Sequence, residues 1–151
     1  MTKQSAGVLL YKISNRVLTV FLIHPGGPFF KNKDAGSWSI PKGEFLDDED
    51  ALKAAIREFK EETGFDVNGN FNPLDPVKLK SGKIVHAWAL AGDIDATKVI
   101  SNTFELQWPP SSGKFQFFPE VDKGQWFTVD EARVKINPAQ FAFIEQLQGI
   151  L

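Results

Sequence analysis

Three glutamates in a short stretch of the chain have residue types and spacings that could bind a metal ion. Glu58, Glu61 and Glu62 are separated by three and four residues. On a helix these spacings place the carboxylates on one face, within about 100°. One interpretation is a solvated acidic face, which is common in Glu-rich helices. The other is a site for a hard divalent cation such as Mg²⁺, which prefers oxygen ligands and bridges carboxylates to phosphates.

Residues 49–63 are predicted to form the helix that carries these glutamates. Asp47 and Asp48 stand where an N-cap is expected, and Gly64 stands where a C-terminal cap is expected. The apolar residues of the segment follow the spacing of one buried stripe: Leu52, Ala55, Ile56 and Phe59.

The remaining elements are predicted to be mostly strands. Strands are expected at residues 8–13, 17–23, 77–80, 83–91, 114–118 and 124–127, with a short one at 38–40. Loops are expected at residues 24–37 and 71–76, with an irregular excursion at 101–113. Short helices are expected at residues 95–100 and 128–134, and a last helix begins at 137–138. Strands mixed with a few helices indicate an α+β or α/β fold.

Composition and charge exclude several classes of function. A chain of 151 residues fits one domain, and a net charge of −2 provides no global positive field for long nucleic acid. The absence of cysteine excludes disulfides, thiolate catalysis and Cys-ligated zinc. No signal sequence or apolar window of about 18 residues is recognisable. We therefore expect a cytoplasmic protein without a membrane span.

A longer pattern surrounds the three glutamates and resembles the Nudix signature. Gly43 is followed after five residues by Glu49, and after seven more by Arg57-Glu58, with the pattern continuing to Phe65. Every defined position of the signature is filled. The resemblance implies a single Nudix domain over residues 1–151, of the α+β class. It also implies an α/β/α sandwich with a central mixed sheet between helices.

The resemblance further implies a role for each position of the signature. Glu58, Glu61 and Glu62 are expected to hold one to three Mg²⁺ or Mn²⁺ ions, together with the backbone carbonyl of Lys42. Arg57 is expected to orient the carboxylates through a charge-assisted fork, with Glu49 as its structural partner. The two glycines are expected to be structural, since Gly43 permits a tight loop and Gly64 ends the helix. Glu61 and Arg57 are thus candidate catalytic residues.

An acidic residue outside the signature is expected to complete the metal site or to act as the general base. Glu120 is the candidate, because it lies on a loop between the last strands. This position resembles the one at which relatives carry an extra Glu. Glu105 and the glutamates of the signature remain alternatives for the base. Glu44, beside Gly43, could instead approach a metal.

Several cationic and aromatic residues are candidates for substrate binding. The Pro41-Lys42 lead-in resembles that of the dinucleoside polyphosphate and diphosphoinositol polyphosphate branches, so Lys42 is either a phosphate contact or an exposed loop lysine. Lys83 and His86 lie on a strand expected to cross the site, although a structural histidine is the alternative for His86. The candidate stacking rings are Phe29, Phe30, Trp38, Trp88 and Trp108. Core packing is the default for each, with Phe29 and Phe30 as the expected exceptions because they lie in a loop between glycines and lysines. Trp108-Pro109-Pro110 forms either a rigid wall near the site or an anchored connecting loop.

The function implied is metal-dependent hydrolysis of a phosphoanhydride in a nucleoside diphosphate linked to another moiety. A dinucleoside polyphosphate or a nucleoside triphosphate is the expected substrate, and partners other than such small molecules are not expected. The sequence does not indicate an oligomeric state. The alternative is a non-catalytic Nudix-fold module that binds a nucleotide, and the intact glutamates argue against it.

Overall fold

The computed structural model describes residues 3–151, which form nine strands and three α-helices. The strands are β1 (Gln4–Ser14), β2 (Val17–Pro25), β3 (Lys42–Glu44), β4 (Asn72–Pro73), β5 (Val77–Lys78), β6 (Ile84–Ala91), β7 (Thr103–Gln107), β8 (Phe115–Pro119) and β9 (Val121–Thr128). The helices are α1 (Ala51–Thr63), α2 (Val129–Lys135) and α3 (Phe141–Ile150). Single 3₁₀ turns cover Ala96–Lys98 and Pro138–Gln140.

Strand β1 is the centre of a mixed seven-stranded sheet. It runs parallel to β6 and antiparallel to β2 and β3, and the sheet is ordered β4-β6-β1-β2-β9, with β5 added beside β6. Strands β7 and β8 pair only with each other, as a separate two-stranded sheet. The β1–β2 hairpin predicted from the sequence is confirmed, and both strands are longer than expected.

Alternation along β1 sends its side chains into two hydrophobic cores, one on each face of the sheet. Leu9 and Tyr11 join the core formed with α2 and α3, whereas Val8 and Leu10 join the core formed with α1. This alternation follows from the two-residue period of a strand. The predicted α/β/α sandwich with a central mixed sheet is confirmed.

The sheet opens between β1 and β2, and residues 38–44 enter this opening. Strand β1 pairs with β2 only from Tyr11 onward, whereas its first half pairs with β3. The amide of Val8 donates to the Pro41 carbonyl at 3.1 Å, and the amide of Ile23 donates to the Ser39 carbonyl at 2.8 Å. The chain therefore reaches α1 through the middle of the sheet and not around its edge.

Helix α1 differs from the prediction at its start and in its buried face. Its N-cap is Asp50, whose side chain accepts from the Lys53 amide, so Asp47 and Asp48 are not the cap. Gly64 ends the helix with φ 82°, as predicted. The buried residues are Ala54, Ala55, Glu58, Phe59 and Thr63, whereas Leu52 and Ile56 are only half-buried. The predicted buried face was therefore wrong, because the observed one is rotated around the helix by part of a turn.

Other segments also differ from the prediction. Residues 38–40 are not a strand, because Trp38 and Ser39 form only isolated bridges. Residues 103–107 form strand β7 and not an irregular excursion, and residues 72–73 form a short strand within the predicted loop. Both were missed because the pairing partner, and not the local residue pattern, defines these strands. No α-helix among residues 3–151 is long and apolar enough to span a membrane.

Candidate active site

Arg57 forms the centre of an ion-pair network on the exposed face of α1. Its Nε and Nη2 donate to the two carboxylate oxygens of Glu49, each at 3.1 Å. Its Nη1 donates to Glu58 at 2.8 Å and to Glu61 at 3.3 Å. Burial lowers the pKa of Arg57, but its bonds to Glu49 and the charge of Glu58 raise that pKa above its ordinary value. One guanidinium thus orients three carboxylates, which is the arrangement expected for Arg57 and Glu49.

Glu62 is not bonded to Arg57 and instead contacts the strand that precedes the helix. Its Oε1 accepts a hydrogen bond of 3.1 Å from the backbone amide of Lys42. Burial raises the pKa of Glu62 to about 8, even though the Lys42 amide and ammonium act in the other direction. Burial also lowers the pKa of Lys42, as does the charge of Lys83. A nearby cation stabilises the ionised form of such a carboxylate.

Glu58 is 9% exposed and lies against the backbone of Gly43. A Cβ at residue 43 would overlap the Glu58 carboxylate. Gly43 has no positive φ, since it lies in β3 opposite Ala6. The expected role for Gly43 is corrected accordingly: the position needs glycine to leave room for a carboxylate and not to make a tight loop.

Glu120 joins the glutamates of α1, and these four residues are called the carboxylate cluster: Glu58, Glu61, Glu62 and Glu120. Burial raises the pKa of Glu120, and the charge of Glu61 raises it further. The charge of Glu120 in turn adds to the raised pKa values of Glu58 and Glu62, for both of which burial is the largest cause. Glu105 instead lies exposed on β7, opposite Phe117.

The carboxylate cluster is not arranged as a finished metal site. Among residues 3–151, no three Asp, Glu or His side chains converge closely enough to enclose an ion. Arg57 draws Glu58 and Glu61 toward itself, while Glu62 faces the Lys42 amide. The donor set nevertheless fits a hard divalent cation, because four carboxylates share one partly buried region and oppose one another's ionisation.

A cavity of about 260 Å³ opens beside the carboxylate cluster. Glu62, Glu120 and Lys42 line one side, and Trp38 and Phe30 line another. The cavity is thus lined by acidic groups, one lysine and aromatic rings. Small-molecule sites commonly combine an apolar lining with a few polar groups in this way.

The loop that carries Phe29 and Phe30 is held by a buried histidine. His24 Nδ1 lies 2.8 Å from Asp122 Oδ1, and His24 Nε2 lies 2.5 Å from the Lys33 carbonyl oxygen. Phe29 is 58% exposed and Phe30 is 37% exposed. Both rings thus remain accessible on an anchored loop.

Trp38 contributes to the cavity wall but offers no free ring face. It is 2% exposed, packs edge-to-face on Phe127 with centroids 4.9 Å apart, and has the Lys123 Nζ 5.4 Å from its ring centroid. Its Nε1 donates to Asp34 at 2.7 Å. The prediction that Trp38 stacks on a base is therefore wrong, because neighbouring side chains already occupy the ring.

Neither Lys83 nor His86 lines this cavity. His86 Nε2 donates to Gln4 Oε1 at 2.6 Å, and its ring is 5.9 Å from that of Phe45. Lys83 pairs with Glu44 at 3.6 Å. The structural alternative for His86 is thus favoured, and Glu44 faces lysines and not the carboxylate cluster.

Gln140 was missed by the sequence analysis. It is 1% exposed, and its Oε1 accepts a hydrogen bond of 3.0 Å from the Ile40 amide. Its Nε2 donates to Ser39 Oγ at 3.0 Å. Gln140 therefore anchors the segment that leads to Lys42. The available signal was a polar residue at the start of an apolar helix.

Comparison with known proteins gives a consistent match. A family model described as NUDIX domain matches residues 1–147. No curated protein matches the sequence.

Solved structures share the fold at low sequence identity. A C. elegans Ap4A hydrolase in a binary complex aligns with 99% of this chain and 97% of its own, at 19% identity and TM-score 0.65. The NUDIX domain of Shewanella oneidensis NrtR, complexed with ADP ribose, aligns with 99% of this chain and 88% of its own, at 16% identity and TM-score 0.65. A mutT/nudix family protein from Listeria innocua aligns with 98% of this chain and 92% of its own, at 18% identity and TM-score 0.65.

Proposed function

Because the chain belongs to the Nudix family of pyrophosphohydrolases, we propose that it hydrolyses a phosphoanhydride bond in a small nucleotide whose diphosphate is linked to a second moiety. The observation that carries this proposal is the carboxylate cluster, of which Glu62 and Glu120 line a cavity together with Lys42. Dinucleoside polyphosphates are the preferred substrate class, and nucleoside triphosphates are the second.

A divalent cation, Mg²⁺ or Mn²⁺, would be held by Glu58, Glu61, Glu62 and Glu120 with the Lys42 backbone, and would neutralise phosphate oxygens and polarise the phosphorus. Arg57 orients Glu58 and Glu61 before the substrate arrives. Lys42 provides a cation at the cavity wall for a phosphate oxygen.

The reaction requires one proton transfer that the chain itself can perform. The oxygen of a water molecule forms a bond to phosphorus, and the bond from phosphorus to the bridging oxygen breaks, so the second phosphate leaves. A carboxylate oxygen of Glu120 accepts the proton from the water. Burial and the Glu61 charge raise the pKa of Glu120, which brings this base closer to neutral pH.

A non-catalytic nucleotide-binding module is the second candidate. The NrtR domain with ADP ribose is similar to this chain in fold. The intact set of Glu58, Glu61 and Glu62 favours catalysis, because a module that only binds has no need for clustered carboxylates that repel one another.

A panel of phosphoanhydrides incubated with Mg²⁺ or Mn²⁺, with products resolved by chromatography, tests the proposal. We expect turnover of at least one dinucleoside polyphosphate by the wild type. We expect Glu62→Gln to reduce turnover on the order of 100-fold or more, because one anionic ligand is lost. Glu145→Gln on the exposed side of α3 is the matched control. Tight binding without turnover by any substrate would instead support the binding module.

A further inference from the structure

Three aromatic side chains extend from the cavity across the neighbouring surface, and Phe30, Phe29 and Trp108 are together called the aromatic strip. Phe30 lines the cavity beside Glu62 and Glu120. Phe29 follows it and packs edge-to-face on Trp108, with centroids 5.5 Å apart and planes at 83°. Because Phe29 is 58% exposed, much of its ring surface is open to solvent.

The aromatic strip is attached to the carboxylate cluster by backbone contacts. The Gly26 amide donates to the Glu120 carbonyl at 2.9 Å, so the loop carrying Phe29 begins beside the proposed base. Phe104 of β7 fits against Gly27, where a Cβ would come within 2.9 Å of its ring. The β7–β8 hairpin and the loop are therefore held together, and both border the site.

Trp108 is held at the end of this hairpin. Its amide donates to the Lys114 carbonyl at 2.9 Å, and Gln116 Nε2 donates to the Trp108 carbonyl at 3.1 Å. These bonds fix the backbone of Trp108, so the residue that supports the Phe29 ring is held in place before a ligand binds.

The cavity is too small to enclose a substrate with two nucleosides. Its volume is about 260 Å³, whereas pockets that bury a drug-sized ligand span about 300–1,000 Å³. The second end of a dinucleoside polyphosphate must therefore lie outside, and the aromatic strip is the surface that continues from the opening.

Lysines accompany the aromatic strip. Lys33 Nζ lies 5.5 Å from the Phe30 ring centroid, and Lys31 is exposed next to Phe30. These cations stand beside the rings, where phosphates that connect two nucleosides would pass.

We propose that the aromatic strip is a second nucleobase subsite, in which the distal base of a dinucleoside polyphosphate stacks on Phe29 with Trp108 behind it. This inference rests on the proposed function and specifies its substrate class. Binding at the strip makes the second nucleoside contribute to affinity, so a dinucleoside substrate is distinguished from a mononucleotide with the same number of phosphates.

Steady-state kinetics with diadenosine tetraphosphate and with adenosine tetraphosphate test the subsite. Phe29→Ala is expected to raise KM for the dinucleoside about tenfold, since one base stack is lost, and to leave kcat unchanged. KM for adenosine tetraphosphate should remain as in the wild type. Phe29→Tyr keeps a ring and should preserve both constants. An equal change for the two substrates, or no change for either, would overturn the subsite.

Phe117→Ala is the matched control. Phe117 is 69% exposed, and it projects from the opposite face of the hairpin to Phe104, which packs on Gly27. Its loss should leave both KM values unchanged.

Calorimetric titration with diadenosine tetraphosphate separates the failure of the subsite from that of the proposed function. If the wild type cleaves neither nucleotide, the hydrolase proposal fails, but the subsite still predicts a Kd about tenfold weaker in Phe29→Ala. Equal Kd values in the wild type and Phe29→Ala would reject the subsite.

Discussion

Among the carboxylate cluster, Glu62 is the member whose pKa is raised to about 8, and burial is the largest cause. Its pKa of about 8 means that the metal-free folded state favours the protonated carboxyl, whereas the unfolded chain ionises near the ordinary value of 4.5. Stability from this group is therefore fully present below about pH 4.5 and is lost as the pH rises through about 8.

Chemical denaturation in chelator measures this effect. We expect the free energy of unfolding of Glu62→Gln to exceed that of the wild type at pH 8.5, and the difference to shrink by pH 5. Adding Mg²⁺ should stabilise the wild type more than the variant, because the ion binds only the folded chain. A difference that is independent of pH would contradict the assignment.

Glu105 lies on β7 and Glu120 directly follows β8, so these two acidic residues can be compared as candidates for the general base. Burial and the charge of Glu61 raise the pKa of Glu120, whereas Glu105 is exposed on β7. Glu120→Gln is expected to lower kcat about 100-fold or more, as for loss of a general base, and Glu105→Gln is expected to leave kcat unchanged. A larger loss in the Glu105 variant would reverse the assignment.

The sequence predicted which residues belong to the site better than it predicted their burial and packing. Spacing alone places Glu58, Glu61 and Glu62 on one helical face, so their proximity could be anticipated. The depth of Glu58 could not, because the apolar pattern assigned burial to Leu52 and Ile56. Core packing was considered for Trp38, but its neighbours Phe127 and Lys123 could not be identified because they are distant in sequence.

At the scale of elements, β3 and α1 form the unit that positions the carboxylates. Strand β3 runs alongside the first half of β1, and its glycine gives the Glu58 carboxylate room to lie against the strand. The sequence identified α1 and its end at Gly64 correctly. It did not identify β3, because three residues of Lys-Gly-Glu carry no strand pattern without knowledge of β1 as a partner.

Gly43→Ala tests this unit. The added Cβ would displace the end of the flexible Glu58 side chain and not backbone. We therefore expect the thermal midpoint to change little, while kcat falls roughly 10- to 100-fold, as for loss of a residue that positions a metal ligand.

Gly149→Ala in α3 is the corresponding control, because a Cβ there would meet nothing within 4 Å. It should retain full activity. Full activity in Gly43→Ala as well would show that the close packing of Glu58 on β3 is dispensable.

At the scale of the whole molecule, stability is divided between a large sheet and a small one. The seven-stranded sheet has a core on each face, whereas β7 and β8 form a hairpin that rests on the loop beginning at Gly26. Two-stranded sheets are marginally stable alone. This division could not be read from the sequence, because β7 and β8 resemble ordinary strands or loops in composition.

Amide hydrogen exchange should reveal the division. We expect the paired amides of β7 and β8 to exchange much faster than those of β6, which lies inside the large sheet. Addition of diadenosine tetraphosphate should slow exchange in the hairpin, and Phe29→Ala should weaken that protection. Equal protection of β6 and the hairpin in the free protein would contradict the division.

The central position of β1 also affects the order in which the protein can fold during synthesis. Its parallel partner β6 begins 80 residues later, and eight residue pairs join the two strands, from Gln4–Ile84 to Tyr11–Ala91. Until β6 leaves the ribosome, one edge of β1 has no strand beside it and can pair with another nascent chain. Such long-range pairing is slow to form. During synthesis, the first half of the chain therefore cannot complete its strand pairing until the second half emerges. Dependence on chaperones should be greatest before residue 91 emerges.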